Sequence, residues 1–339
     1  MALPTKVKTY NYHVNNVCTE ATAQETAEHS LWQLKESIAS FSQWSVVASS
    51  NSSSVKNIGD GGDVDLWDDW STDLVPSSGA HSWIILENSV TGEQLCIDWN
   101  GTYPYVDVVY SASGAFAADG TTSSRPTDTE SVYINDGRQF INTTVDGAVV
   151  NAMCSTDGKI TRAWIYMIDG STKGSFFFGL EEPTGIPTQW NASVPRALLR
   201  EDTTLGMSAV PTSQGPKLAN IDGTSEKVPM YLTDSTPYEG WNYAYLTTEC
   251  YHQWTGDQGN ACYEPNVNMD WNEGFPMTAL GMFRTTSPRQ GGMGAFQDVY
   301  AGPEQHQSIT TYPNDSTYLW IKIGGLVLPW NGSVPVESP

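Results

Sequence analysis

Residues 78–100, SGAHSWIILENSVTGEQLCIDWN, decide the fold. Trp83, Ile84, Ile85 and Leu86 form an apolar run, Asn88 to Gly92 supplies turn chemistry, and Leu95, Cys96 and Ile97 resume the run before Asp98. Two short apolar runs around a polar, glycine-containing turn are the pattern of a β-hairpin with a buried face. Nothing in the segment resembles a nucleophile, a metal cage or a phosphate loop, so it points to a β scaffold rather than a reaction centre.

Working outward, Thr22 followed by Glu25 makes a capping box, and Ala27, Leu31, Leu34, Ile38 and Phe41 recur at four- and three-residue spacing. That spacing predicts one amphipathic helix over 22–41, closing one end of a β domain or offering a face to a partner. Strands are expected at Ser45–Ala48, Val106–Tyr110, Tyr133–Ile141, Val145–Met153 and Lys159–Ile168. Asp146-Gly147 and Asp157-Gly158 tolerate positive φ, so the last three strands should run as a meander through tight hairpins. Phe176 to Phe178 precede Glu181-Glu182-Pro183, and prolines at 187, 195 and 211 then punctuate an irregular stretch to about Val228. Further strand-like runs fall at Met230–Thr233, Trp241–Thr247, Phe275–Phe283 and Leu319–Leu328, with Tyr251–Met269 as a long surface loop. The expected architecture is mainly β, with antiparallel β-sandwich or jelly-roll modules and one N-terminal helix. Its segments are 1–43, 44–184 and 185–339, with the later boundary near Thr184.

The chain is 339 residues long, and its 13 Trp, 16 Tyr and 9 Phe supply bulky packing units for one large or two medium β-rich domains. Thirty glycines and nineteen prolines imply many turns between short strands. The formal net charge of −22 repels a nucleic-acid backbone, and no local basic patch offsets it, so no nucleic-acid partner is expected. The same charge keeps a crowded assembly soluble. No stretch reaches the roughly 18 apolar residues needed to cross a bilayer, and the start lacks a signal-peptide core, so synthesis in a cytoplasm without membrane insertion is expected.

Trp44-Ser45-Val46-Val47, Gly59-Asp60-Gly61-Gly62-Asp63-Val64-Asp65-Leu66-Trp67, Ala80 to Leu86, Gln94 to Asp98 and Ser124-Arg125-Pro126-Thr127 follow one another in that order. This series, with the closing Ile323 to Gly332, resembles a family of tailed-bacteriophage virion proteins. The resemblance spans a minority of the chain and contains no catalytic signature. It implies a structural component of a phage particle, decorating the head or sitting on the tail, present in several symmetric copies and in contact with other virion proteins.

Several clusters bear on chemistry. Asp60, Asp63, Asp65 and Asp68, with Asp69, stand among flexible glycines and can offer oxygens to calcium, although the order is not that of an EF-hand. The alternative is a solvated acidic loop anchored by Leu66, Trp67 and Trp70. Cys250, His252 and Cys262 could contribute to a zinc site or a local disulfide, but the spacing lacks paired ligands and a fourth candidate. Cys18, Cys96, Cys154, Cys250 and Cys262 are an odd number in a long chain, which suits buried thiols better than a disulfide framework. His81, before an apolar strand, reads as a hydrogen-bonded edge residue. Glu181 and Glu182 face opposite ways on a strand and cannot flank one glycosidic bond, and Asp98, Asp107 and Asp128 are catalytic candidates only by residue type.

Trp241, Tyr243, Tyr245, Tyr251 and Trp254 cluster in a polar stretch, where aromatics stack on sugar rings, anchor an interface or fill a core. The sequence therefore predicts a non-enzymatic, self-associating virion component without a cofactor. The rivals are a module that attaches the particle to a host-surface glycan through those aromatics, and a glycan hydrolase carried on the particle.

Overall fold

A computed structural model describes residues 6–50, 81–100, 105–111, 114, 116, 126, 132–139, 147–167, 176–182, 195–201, 217–220, 225–227, 244–247, 278–284, 291–301, 310–312, 320–323 and 326–331. These residues form one helix and antiparallel sheets, so the protein is mainly β, as its sequence predicts. The first half of the chain contributes β1 (Tyr10–Cys18), α1 (Ala23–Ala39), β2 (Trp44–Ser49), β3 (His81–Asn88), β4 (Gln94–Asn100), β5 (Tyr105–Ser111), β6 (Val132–Gln139), β7 (Ala148–Ser155) and β8 (Thr161–Met167). There follow β9 (Phe176–Leu180), β10 (Pro195–Glu201), β11 (Lys217–Asn220), β12 (Ser225–Lys227), β13 (Ala244–Thr247), β14 (Thr278–Arg284), β15 (Gly291–Ala301), β16 (Thr310–Tyr312), β17 (Trp320–Ile323) and β18 (Leu326–Pro329).

The hairpin read from residues 78–100 is β3 and β4, at the middle of a five-stranded sheet ordered β2-β3-β4-β5-β6. Its turn is built by Asn88, whose Oδ1 accepts the Val90 N–H at 2.9 Å, and by Gly92, whose φ of 74° suits a residue without Cβ. Cross-strand register sorts the side chains into two faces. Val46, Leu86, Leu95 and Tyr110 stand in one row, and Ala48, Ile85, Cys96 and Val109 in the next. A bulge in β2 between Val46 and Ala48 lets one short strand serve both faces.

The first row belongs to the main core, together with Ile84, Ile97 and Trp99 and the stripe Ala27, Leu31, Leu34, Ile38 and Phe41 of the helical segment. The second row, with Trp83 and Phe116, forms a separate core on the opposite face of the sheet. Burial on both faces explains why β3 and β4 are apolar runs rather than simple alternations.

The helix begins where the capping box predicts. Thr22 Oγ1 accepts the Glu25 N–H at 3.2 Å, and Glu25 Oε2 accepts the Thr22 N–H at 3.0 Å. It ends at Ala39, and Phe41 beyond it still reaches the core. The helix lies against β7 of a seven-stranded sheet ordered β1-β7-β8-β9-β10-β11-β12, whose Ala148, Val150, Ala152, Cys154, Ala163 and Ile165 complete the main core. Three alanines on that face leave room for the helix to lie close. A third sheet, β13-β14-β15-β18-β17-β16, holds the C-terminal strands.

Several expectations are corrected by this topology. Of the meander expected from Tyr133–Ile141, Val145–Met153 and Lys159–Ile168, the β7–β8 hairpin forms, with Asp157-Gly158 as its turn, and it continues into β9 instead of coming from β6. Asp146-Gly147 does not close a hairpin, because β6 pairs with β5 in one sheet while β7 pairs with β1 and β8 in another. The single run Leu319–Leu328 is two antiparallel strands, β17 and β18, on either side of residues 324–325. β10, β11 and β12 lie within the stretch expected to be irregular, and β1, which the sequence reading passed over, is a sheet strand. The seven-stranded sheet takes β1 from segment 1–43, β7 to β9 from 44–184 and β10 to β12 from 185–339, so its hydrogen bonding crosses both expected boundaries. Met230–Thr233 and Tyr251–Met269 lie outside the described residues.

Candidate functional site

The densest charged constellation sits on the face of the seven-stranded sheet opposite α1. Alternation along β8 sends Ala163 and Ile165 into the main core and Arg162 to the other side, where it is wholly buried. A buried guanidinium must be paired, and Glu181, also wholly buried, does so in two-pronged fashion. Nε meets Oε1 and Nη2 meets Oε2, both at 2.8 Å. The pair passes over Gly179, the register partner of Arg162 on β9. A Cβ there would come within 2.3 Å of Glu181 Oε1, so any larger residue would push the carboxylate off Arg162.

Strand β15 closes the remaining side. Arg162 Nη2 donates to the Gln297 carbonyl at 2.5 Å, and Nη1 reaches the Asp298 carbonyl at 3.4 Å. Asp298 adopts a φ of 55°, uncommon outside glycine, and in that pose its carboxylate accepts three donors. These are the Val7 N–H at 2.7 Å, the Lys8 N–H at 2.9 Å and the Tyr10 hydroxyl at 2.8 Å. The Tyr10 ring faces the guanidinium, with 5.6 Å from Arg162 Cζ to the ring centroid. An outer ring of charges surrounds this centre. Lys8 Nζ pairs with Asp157 at 2.6 Å and with Glu182, while Lys159 holds Glu182 at 2.8 Å and Gln297 Nε2 donates to the Glu182 carbonyl at 2.9 Å.

The titration of these groups follows their surroundings. Burial alone would lower Arg162, but Glu181, Tyr10 and Asp298 together outweigh it and keep the guanidinium charged. Burial raises the Tyr10 hydroxyl, with Arg162 opposing. Burial also pushes Asp157 upward, yet Lys8, Ser155 and the Lys159 N–H together hold it at about 2. Glu182 is lowered in the same way, burial being overcome by Lys159 and Lys8. Tyr10 and Arg162 are moved upward and Asp157 and Glu182 downward, all away from neutrality. The arrangement fastens the N-terminal strand, the β7–β8 turn, the end of β9 and strand β15 to one another.

A second pair lies on the five-stranded sheet. His81 Nδ1 is 2.8 Å from Asp98 Oδ2 and 3.0 Å from Oδ1, with Asp98 wholly buried and His81 near the surface. The carboxylate fixes the imidazole ring from its inner side, so His81 is hydrogen-bonded as the sequence suggests, but at the first position of β3, an interior strand, and not at a sheet edge.

Of the residues singled out from sequence, Asp60, Asp63, Asp65 and Asp68 lie outside the described residues, as do Trp241, Tyr243, Tyr251, Trp254, Asp128, Cys250, His252 and Cys262. Tyr245 is on β13, opposite Phe283 of β14. Cys18, Cys96 and Cys154 are buried thiols outside any disulfide, and burial pushes Cys18 up to about 12 and Cys154 up to about 11. Glu181 and Glu182 do turn to different partners, one to Arg162 inside and the other to the two lysines outside. Sequence reasoning missed Arg162, Tyr10 and Asp298. The one available signal was a lone arginine in the alternating strand Thr161 to Met167.

Among the described residues, no group of three or more His, Cys, Asp or Glu side chains is placed to hold a metal ion, and no helix is long and apolar enough to cross a membrane. The fold and this site define an antiparallel β-sheet protein whose buried charges bind sheet to sheet. Comparison with protein-family models, with curated proteins and with solved structures finds no match.

Proposed function

We propose that this chain is a non-enzymatic structural component of a tailed-phage virion, made in the host cytoplasm, that self-associates and contacts neighbouring virion proteins on the head or the tail. The observation that carries the reading is the Arg162–Glu181–Asp298 cluster, which commits buried charges to holding strands from both ends of the chain together. Such pairing, once formed, is costly to break and resists separation of the sheets. The series of motifs from Trp44 to Thr127, the turn-rich antiparallel sheets and the acidic surface agree with a particle component.

The test is to locate the chain in images of intact particles and to measure its native mass when purified. Density for the chain at a repeated position, with a matching oligomer in solution, is the expected result. A chain missing from particles that instead releases sugar, with release abolished by one carboxylate substitution, would overturn the proposal. A glycan-array signal lost on Trp254→Ala would replace the structural role with host attachment.

A further inference from the structure

We infer that β1 is the edge along which two copies of this chain pair, each adding its own β1 antiparallel to the other's and continuing the seven-stranded sheet across both. The inference rests on the self-association proposed above and names its surface. Sheet edges are blunted in most proteins by shortness, charge or proline. Among the described residues, four of the five other edges of these sheets obey that rule. β12, β13 and β16 are three or four residues long, and β6 carries Asp136 and Arg138. β2 is uncharged but has only six residues.

β1 has nine residues, YNYHVNNVC, without Asp, Glu, Lys, Arg, Pro or Gly. Among the described residues it is laddered on one side only, to β7, with a register shift between His13 and Asn16 as its one irregularity. Burial lowers the His13 imidazole, so the strand is neutral in neutral solution.

Charge selects the partner. With 38 acidic against 16 basic side chains, two copies repel across most of their surfaces, and a contact between them must fall on a stretch free of carboxylates. Large apolar side chains exposed among the described residues are Val7, Val17 and Val90, and two of these three are on β1 or just before it. Asn11, also exposed, adds hydrogen-bonding capacity between them. The carboxylate of Asp298 fixes the entry to the strand through Val7, Lys8 and Tyr10, so this edge is held in place before a partner arrives. A two-fold axis at the middle of β1 brings Asn11 of each copy opposite Val17 of the other, the reciprocal pairing that a closed dimer requires.

The experiment measures native mass and sedimentation of the full chain, as wild type, as Asn11→Lys/Val17→Lys, and as Val90→Lys. Like charges opposed across the paired edges should weaken association about tenfold or more, whereas Val90→Lys should associate as the wild type does. Far-UV circular dichroism and melting establish that each variant is folded. Association of the folded double variant with wild-type affinity would overturn β1 as the surface while leaving self-association standing. A wild-type chain that stays monomeric at every concentration would overturn both. Should the double variant not fold, hydrogen exchange on the wild type decides. Amides of β1 that gain protection with rising protein concentration support the edge, and unchanged exchange refutes it.

Discussion

The two faces of the seven-stranded sheet are held in opposite ways. On one face Ala148, Val150, Ala152, Ala163 and Ile165 meet the apolar stripe of α1, and many small dispersion contacts share the work. On the other face charged groups, Arg162, Glu181 and Asp298, tie β8, the end of β9 and the entry to β1 to β15, beside aromatic contacts of Trp164 and Tyr12 with Trp330. An apolar face degrades gradually when one residue shrinks. A buried ion pair fails at once when one partner goes, because the other is left desolvated and unpaired.

Four experiments can break or sharpen that contrast. The largest effect is expected from Arg162→Ala, which leaves Glu181 buried without its cation and should lower stability by about 3–5 kcal/mol in urea unfolding. The double variant Arg162→Met/Glu181→Leu should recover most of that loss. A double variant as unstable as the single one would show that the pair itself, rather than the orphaned charge, is what matters. On the apolar face, Leu31→Ala should cost about 2–5 kcal/mol by the same measurement, depending on how far α1 settles into the space.

Glu28 on α1 is a buried carboxyl raised to about 7, first by burial, with the Gln24 amide opposing and Glu25 adding to the rise. Its charged form is disfavoured in the fold, so the penalty is absent below about pH 4.5, grows as pH rises and is complete above pH 7. Glu28→Gln should therefore gain about 1–2 kcal/mol at pH 8, after allowance for solvent screening, and nothing at pH 4. Thermal melts across that range would expose a flat difference if the carboxyl were solvated. The smallest effect belongs to the outer charges. Asp157, held low at about 2, contributes stability above its unfolded value near 3.8 and loses it as pH falls through 2. Because it is largely exposed, Asp157→Asn should cost under about 1 kcal/mol at pH 7, with the difference vanishing in acid.

The apolar half of the structure was legible in the sequence, and the ionic half was not. Periodicity is a local signal, and it placed the Thr22 cap, the stripe from Ala27 to Phe41 and the hairpin from His81 to Asn100. The second core behind Trp83 and Ile85 follows from an apolar run too continuous for a one-sided strand. The crossing from β6 to β7 was hidden because Asp146-Gly147 carries the same turn signal as Asp157-Gly158, and only partner choice separates them. β1 has weak alternation and polar asparagines, so it announces neither a strand nor an edge. Arg162 was visible as an interruption, but its partners come from residues 181, 297 and 298, and no spacing rule spans that distance. The acidic loop at 60–68 and the aromatics Trp241, Tyr243, Tyr251 and Trp254 lie outside the described residues, so their roles rest on residue type.

The grip of Asp298 on the amides of Val7 and Lys8 joins positions separated by 291 and 290 residues. On a ribosome, the intervening chain takes roughly 15–60 s to emerge at ordinary elongation rates. During that interval the segment leading into β1 lacks this fastener, although β7, its ladder partner, has already been made.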